Sequence, residues 1–199
     1  MMKRICVFCG SSPGSRPDYV QAGRELGEFL AKKGLGLVYG GTNIGIMGEV
    51  ANAALTAGGE VIGVIPRGLV EKGIGHTGLT DLRVVNSMHD RKAMMFTLSD
   101  GFVALPGGLG TIEEFFEVLT WTQLGMHAKP CGLLNVQGYY DKLIAFLDNA
   151  VSERFVRDSH RAMVLVAERP EALIEKFESY EAPRVKKWLD LNAGGAPIE

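Results

Sequence analysis

Short apolar segments alternate with longer segments of helical period along most of this chain. The short segments are continuously apolar, which is typical of strands buried on both faces of a parallel sheet. Seven strands are predicted, at Arg4–Cys9, Leu35–Tyr39, Glu60–Ile65, Leu82–Val85, Gly101–Leu105, Pro130–Leu134 and Met163–Val166. The longer segments place apolar residues on one helical face and commonly end at glycine. The pattern therefore predicts strands and helices in alternation.

The predicted helices fill the intervals between these strands. They run from about Ser15 to Gly34 and over Gly45–Ala57, Met88–Leu98, Ile112–Leu124, Tyr139–Glu153 and Glu171–Tyr180, with Lys186–Leu191 extending the last. This alternation predicts an α/β fold, a Rossmann-like doubly wound parallel sheet with helices on both faces. No repeat or low-complexity linker interrupts it, so residues 1–199 are predicted to form a single domain. Gly194–Glu199 is predicted to be a disordered tail.

Glycine-rich turns follow three of the predicted strands, at Gly10–Ser12, Gly40–Gly48 and Pro106–Thr111. In a doubly wound sheet such turns meet at the carboxyl edge of the strands, where ligands bind. A turn of this kind before a helix presents free amides and the positive end of the helix dipole to an anion. The second turn is not a strict GxGxxG, and no clear ribose-binding acid follows it. The sequence therefore favours a mononucleotide or sugar phosphate over a dinucleotide.

Two carboxylates, Glu113 and Glu114, are predicted in the first turn of the helix after the third glycine-rich turn. Thr111 and Glu114 have the spacing of a capping box, in which both side chains satisfy free backbone donors. Alternatively, one carboxylate faces a cation-like part of a ligand whose phosphate lies on the turn. The residues alone leave both interpretations open.

Arg91 lies on an otherwise apolar helical stripe with Met95 and Leu98. An arginine in this position either buries its stem and extends its charged group into a cleft, or pairs with a structural carboxylate. These alternatives also remain open at the level of sequence.

Composition excludes several functional classes. A net charge of -2 gives no electrostatic reason to expect binding to nucleic acid or to an anionic membrane. No apolar segment reaches the roughly 18 residues of a membrane span, and a strand starting at Arg4 leaves no room for a signal peptide. The three cysteines fit a reducing, cytoplasmic location, and the spacing of Cys6 and Cys9 directs them to opposite faces of a strand. The four histidines show no metal-ligand spacing.

Several motifs resemble those of the Lonely Guy (LOG) family. PGGLGTIEE at Pro106–Glu114 matches the family signature PGGxGTxxE, and MHDRK at Met88–Lys92 matches its second motif. Further matches are Gly40–Thr42, Gly45, Met47–Gly48 and Trp121–Gly125. The resemblance covers about residues 3–180. It implies a Rossmann-like and usually dimeric cytokinin riboside 5'-monophosphate phosphoribohydrolase.

The implied reaction splits the N-glycosidic bond of N6-modified AMP into free base and ribose 5-phosphate, and many bacterial relatives also act on AMP. The implied partner is a small-molecule nucleoside monophosphate, with no cofactor and no metal. By motif, Arg91 and Glu114 are the expected catalytic pair. The resemblance adds substrate-lining residues at Lys92, Gly108, Leu109, Gly110, Thr111, Ile112, Glu113 and Thr120. The glycine-rich turns add Gly10, Ser11, Gly41, Thr42, Met47 and Gly107.

The chain departs from the family pattern in one loop. Family members commonly carry a glutamate after the third strand, at the position aligned with Gly73. Glu71 lies two residues earlier and can substitute if the loop shifts. Such proteins are often labelled lysine decarboxylases, but no lysine here has a context that suggests a pyridoxal phosphate Schiff base. Two alternatives remain, a general purine 5'-monophosphate nucleosidase and a non-catalytic nucleotide-binding module.

The helices after the fourth and fifth strands are rich in large apolar side chains. These are Met88, Met94, Met95, Phe96, Phe115, Phe116 and Trp121. Their stripes are wider than one sheet face requires, which predicts a homodimer. The alternative is that the monomer covers the whole stripe itself.

Overall fold

The computed structural model describes residues 2–183. The predicted extension Lys186–Leu191 and the predicted tail Gly194–Glu199 lie outside these residues. Each of the seven predicted strands is present within two residues of its predicted bounds. The strands are β1 (Arg4–Phe8), β2 (Gly36–Tyr39), β3 (Val61–Pro66), β4 (Asp81–Val85), β5 (Gly101–Ala104), β6 (Cys131–Leu134) and β7 (Val164–Ala167).

All seven strands form one parallel sheet in the order β4-β3-β2-β1-β5-β6-β7. The order reverses between β1 and β5, because the chain first builds one half of the sheet outward and then returns to the centre. Ligands of such sheets bind at this reversal, outside the carboxyl ends of the strands. The predicted α/β doubly wound fold is thus confirmed.

In the described part of the chain, seven helices lie between these strands and an eighth follows β7. They are α1 (Pro17–Lys32), α2 (Gly45–Thr56), α3 (Arg67–Val70), α4 (Met88–Leu98), α5 (Leu109–Gln123), α6 (Asp141–Ser152), α7 (Asp158–Arg161) and α8 (Pro170–Glu178). The sequence did not predict α7 or a 3₁₀ turn at Val136–Gly138. Both are too short to show a helical hydrophobic period.

The core has one apolar layer on each face of the sheet. Side chains of β1 and of Cys9, which directly follows it, point alternately into the two layers. Ile5 and Cys9 pack with α1, α2 and α8, whereas Cys6 and Phe8 pack with residues of α4, α5 and α6. The opposite orientation predicted for the two cysteines is confirmed. Cys6, Cys9 and Cys131 are all free and buried. Among the described residues, no helix combines the length and apolar character needed to cross a membrane.

The start of α5 differs from its prediction. The helix begins at Leu109, three residues early, and its N-cap is Gly108, with no side-chain cap hydrogen bond. Thr111 and Glu114 therefore lie inside the helix, and of the two interpretations left open the capping box is wrong. The predicted place of Glu113 and Glu114 in the first turn is also wrong, because they lie in the second. The glycine-rich sequence concealed this start, since glycine is a weak helix signal.

Candidate active site

The three glycine-rich turns meet at the carboxyl edge of the sheet. The amide of Gly10 donates to the carbonyl of Pro106 at 3.1 Å, and the amide of Met47 donates to the carbonyl of Gly10 at 3.3 Å. A Cβ placed on Gly45 would overlap the carbonyl carbon of Ser11. These contacts join segments that are far apart in sequence, so the predicted convergence of the turns is present.

A buried ion pair joins the helices that flank this edge. Nη1 of Arg91, on α4, lies 2.7 Å from Oε1 of Glu114, on α5, and the two side chains are only 9% and 10% exposed. Nε of Arg91 also donates to the carbonyl of Val64 at 3.1 Å. Of the two alternatives for Arg91, pairing with a carboxylate is the one observed. The carboxylate is that of Glu114, which belongs to the signature motif.

The environment of Glu114 sets its protonation. Burial raises the pKa of the Glu114 carboxyl above its ordinary value, and the neighbouring Arg91 charge only partly opposes this effect. Burial, followed by the negative charge of Glu114, also raises the pKa of the Cys9 thiol. Cys9 therefore remains a neutral thiol at neutral pH.

Gly40 makes room for the arginine. A Cβ at this position would overlap Nη2 of Arg91 and Cε of Met47. Met47 is itself buried, and its sulfur accepts a hydrogen bond from the Thr42 hydroxyl at 3.4 Å. The second turn is therefore shaped around the guanidinium. Thr42 and Met47 are both buried in this turn, and their contact with substrate stays a prediction.

Lys92 forms a second set of ion pairs between α4 and α5. Its Nζ lies 2.5 Å from Oε1 of Glu113 and 3.0 Å from Oε1 of Glu117. Hydrogen bonding to Glu113 is the largest cause of the raised pKa of Lys92. Lys92 and Glu113 thus lie beside the buried pair, on a more exposed part of the same helix interface.

The third turn offers unused donors. Within residues 2–183, the amides of Gly107, Gly108, Leu109 and Gly110 donate to no other protein group. They stand at the N-terminus of α5, a 15-residue helix whose dipole adds positive potential there. The Leu109 side chain is 90% exposed, so it leaves the backbone accessible. This geometry suits an anionic group such as a phosphate.

Two predicted site residues lie apart from the free amides. Thr120 is exposed and bonds the carbonyl of Phe116 within α5, about 13 Å along the helix axis from Thr111. Ile112 is half-buried and packs against the core. Within a single chain, Thr120 therefore lies away from the glycine-rich turns. The role of Thr120 in binding substrate stays a prediction.

The loop after β3 packs against the second turn. The amide of His76 donates to the carbonyl of Gly41 at 2.9 Å, and the amide of Asn43 donates to the carbonyl of Ile74 at 3.3 Å. Gly73 is exposed and has a φ of 73°, a left-handed conformation that strains any residue with a Cβ. Glu71 is also exposed, immediately after α3. Its contact with a base stays a prediction.

Sequence reasoning missed Tyr19 and Tyr139, which lie beside the third turn. A cavity of about 420 Å³ is lined by Gly10–Ser12, Pro106–Gly108 and the rings of Tyr19 and Tyr139. The Tyr139 hydroxyl donates to the carbonyl of Gly107 at 2.6 Å. The position of Tyr139 and Tyr140 along the chain could have indicated them. Both closely follow β6 and therefore lie at the same edge of the sheet as the glycine-rich turns.

Comparison with known proteins identifies the family. A family model described as "Possible lysine decarboxylase" matches residues 47–177. A probable cytokinin riboside 5'-monophosphate phosphoribohydrolase of Oryza sativa subsp. japonica is 53% identical over 178 residues, which span 89% of this chain and 78% of that protein. The chain belongs to the LOG family. A cytokinin riboside 5'-monophosphate phosphoribohydrolase of Arabidopsis thaliana is 48% identical over 93% of this chain and 86% of its own length.

Solved structures with this fold extend beyond the LOG relatives. The molybdenum cofactor binding protein from the phototrophic bacterium Rippkaea orientalis has a TM-score of 0.68 and 26% identity, covering 90% of this chain and 97% of that one. The Moco carrier protein from Chlamydomonas reinhardtii has a TM-score of 0.67 at 24% identity, with the same coverage, and this shows the fold alone.

Substituting Gly40 tests whether the second turn positions Arg91. In Gly40→Ala, the new Cβ displaces the guanidinium, and the pKa of Glu114 rises further because its positive neighbour has moved away. Overpacking should also lower the free energy of unfolding by about 1–3 kcal/mol. Carboxyl NMR titration and thermal denaturation measure the two effects. Gly68→Ala is the control, because a Cβ on Gly68 meets no atom within 4 Å. An unchanged Glu114 titration in Gly40→Ala would contradict this role.

Proposed function

We propose that this protein hydrolyses the N-glycosidic bond of cytokinin riboside 5'-monophosphates, which are N6-modified forms of AMP, and of AMP itself. The products are the free base and ribose 5-phosphate. The observation that carries the proposal is the buried Arg91–Glu114 pair, which lies where three donor-rich turns meet. The names of relatives 47–53% identical to this chain support the same activity.

The 5'-phosphate binds the third turn in this proposal. The free amides of Gly107–Gly110 supply uncharged donors, and the N-terminal end of α5 adds favourable potential. Gly10 and Ser11, on the adjoining first turn, border the same cavity. With its phosphate fixed there, the substrate has its ribose held at a set distance from the buried pair, and this removes much of the entropic cost of reaction.

Glu114 acts on the ribose. Cleavage of the C1'–N bond leaves its electron pair on the base and develops positive charge on the ribose, as in glycoside hydrolysis. An ionised Glu114 stabilises this charge and accepts a proton from the water that bonds to C1'. The base takes up a proton from solvent as it leaves. The raised pKa of Glu114 makes the carboxylate a stronger base than an exposed glutamate.

Arg91 serves the same step. Its charge favours the ionised form of Glu114 and partly offsets the effect of burial, because an opposite charge lies 2.7 Å away. Its remaining guanidinium N–H groups can bond a ribose hydroxyl or the phosphate. Lys92 and Glu113 border the site and contribute to substrate binding.

A second candidate function is a non-catalytic binding module. It is favoured by the likeness to the molybdenum cofactor binding protein, which covers nearly the whole described chain. Such a module would bind a nucleotide through the same turns and leave it intact. A general purine 5'-monophosphate nucleosidase is a third candidate, in which AMP itself is the preferred substrate.

Product analysis tests the proposal. Purified protein should convert AMP and N6-isopentenyl-AMP into equal amounts of free base and ribose 5-phosphate, with faster turnover of the N6-modified substrate. The matched nucleosides without phosphate should react at least tenfold more slowly, because they lose the charge-assisted hydrogen bonds of the third turn. Chromatography of both products measures each rate.

Three results distinguish the candidates. Tight AMP binding without any product favours the binding module, and faster turnover of AMP than of the N6-modified substrate favours the general nucleosidase. Equal rates for AMP and adenosine would contradict the assignment of the phosphate to the third turn.

A homodimer is also proposed. Of the predicted apolar stripe, Met95 and Phe115 are covered within the protomer, but Met88 is 48% exposed. Leu124 and Met126, at the far end of the same helical layer, are 52% and 66% exposed. Large apolar side chains along the α4–α5 layer fit an interface between two copies. We also propose a cytoplasmic location, which suits three free, buried cysteines.

Light scattering at micromolar concentration should give twice the chain mass of 21.5 kDa. Leu124→Glu should shift the protein toward monomer, because it places a charge in the proposed interface. Phe146→Glu is the control, since Phe146 is 63% exposed but lies on α6 rather than on α4 or α5. A wild-type mass of 21.5 kDa would contradict the dimer.

A further inference from the structure

The segment after β6 has an unusual backbone. Gln137 has a φ of 50°, which is rare for a residue other than glycine. The Asn135 side chain stabilises this turn, because its Oδ1 accepts from the amide of Tyr140 at 2.8 Å and its Nδ2 donates to Oδ1 of Asp141 at 2.7 Å. The result is that the side chains of Tyr139 and Tyr140 both reach back to the third glycine-rich turn.

The two tyrosine hydroxyls donate to carbonyls in that turn and in the residue just before it. Tyr139 donates to the carbonyl of Gly107 and Tyr140 to the carbonyl of Leu105, each at 2.6 Å. The carbonyl between them, that of Pro106, accepts an amide of the first turn at 3.1 Å. The three successive carbonyls of Leu105, Pro106 and Gly107 thus all accept hydrogen bonds from other parts of the protein.

A held carbonyl also fixes the direction of the next amide. The peptide unit is planar and trans, so the N–H of residue i+1 points opposite to the C=O of residue i. The bond to the carbonyl of Gly107 therefore directs the amide of Gly108 away from Tyr139. The bond to the carbonyl of Pro106 directs the amide of Gly107 in the same manner. Both amides are among those that donate to no other group of the described chain.

We propose that Tyr139 and Tyr140 are positioning residues for the phosphate. Tyr139 aims the Gly108 amide at the ligand through the Gly107 carbonyl, and Tyr140 anchors the start of the turn at Leu105. Donors that are already aimed lose no energy to reorganisation when the anion arrives. This inference rests on the proposed function in one respect, namely that the third turn binds the 5'-phosphate.

Ribose 5-phosphate is the probe, because it carries the phosphate and cannot be hydrolysed at a glycosidic bond. Calorimetry should show that Tyr139→Phe weakens its binding about three- to tenfold, the range expected for one hydrogen bond. Tyr180→Phe is the matched control. The Tyr180 hydroxyl has no hydrogen-bond partner within residues 2–183, and Tyr180 does not line the cavity beside the third turn. The affinity of Tyr180→Phe for ribose 5-phosphate should stay within about twofold of wild type, since no hydrogen bond is lost.

Tyr140→Phe provides a second, buried variant, which should lower both thermal stability and ribose 5-phosphate affinity. Equal affinities of Tyr139→Phe and Tyr180→Phe for ribose 5-phosphate would overturn the proposal. So would a Tyr139→Phe protein that melts earlier but binds ribose 5-phosphate as wild type does, or a wild type that does not bind it.

The binding readout is independent of turnover. If wild type binds ribose 5-phosphate and Tyr139→Phe alone weakens that binding, the positioning role stands even when no hydrolysis occurs. In that case only the proposed reaction fails.

Discussion

The buried ion pair between Arg91 and Glu114 is the interaction on which the rest of the site depends. Two charges nearly removed from water are stable only with good geometry and further hydrogen bonds, and loss of one partner costs about 3–5 kcal/mol. The surroundings meet these demands: the Val64 carbonyl accepts from the guanidinium, and Gly40 leaves space for it. The fold therefore holds the Glu114 carboxyl in a fixed position beside Arg91.

Sheet topology supplies the other half of the site. Because the strand order reverses between β1 and β5, the first and third turns lie side by side, and the second turn adjoins the first. The free amide donors come from the backbone of one turn, whereas the charges come from side chains on α4 and α5. Cleavage of a nucleotide's glycosidic bond requires stabilisation of both a phosphate anion and a developing positive charge on the ribose. At this edge of the sheet, the backbone amides suit the anion and the Glu114 carboxylate suits the developing cation.

Local pattern predicted most of the fold, because each strand is a continuous apolar segment and each long helix shows its period. The start of α5 was missed, since Gly107–Gly110 carries no helix signal. For the site, the sequence indicated Arg91 and Glu114 but not the hydrogen-bonded ion pair between their side chains. It placed Gly40 in a glycine-rich turn but not beside Arg91, and it did not indicate Tyr139. The reason is distance along the chain: Tyr139 is 32 residues from the carbonyl it bonds, and no local pattern encodes that contact.

The turnover of Glu114→Gln tests the central claim most directly. Glutamine keeps the size of the side chain and an oxygen for Arg91 but lacks the charge, so AMP hydrolysis should slow by about 10²–10⁴-fold. Glu113→Gln is the control, because that neighbouring carboxylate is 57% exposed and pairs with Lys92, and it should lose far less. Thermal denaturation checks that both variants fold. A folded Glu114→Gln protein with wild-type turnover would contradict the account.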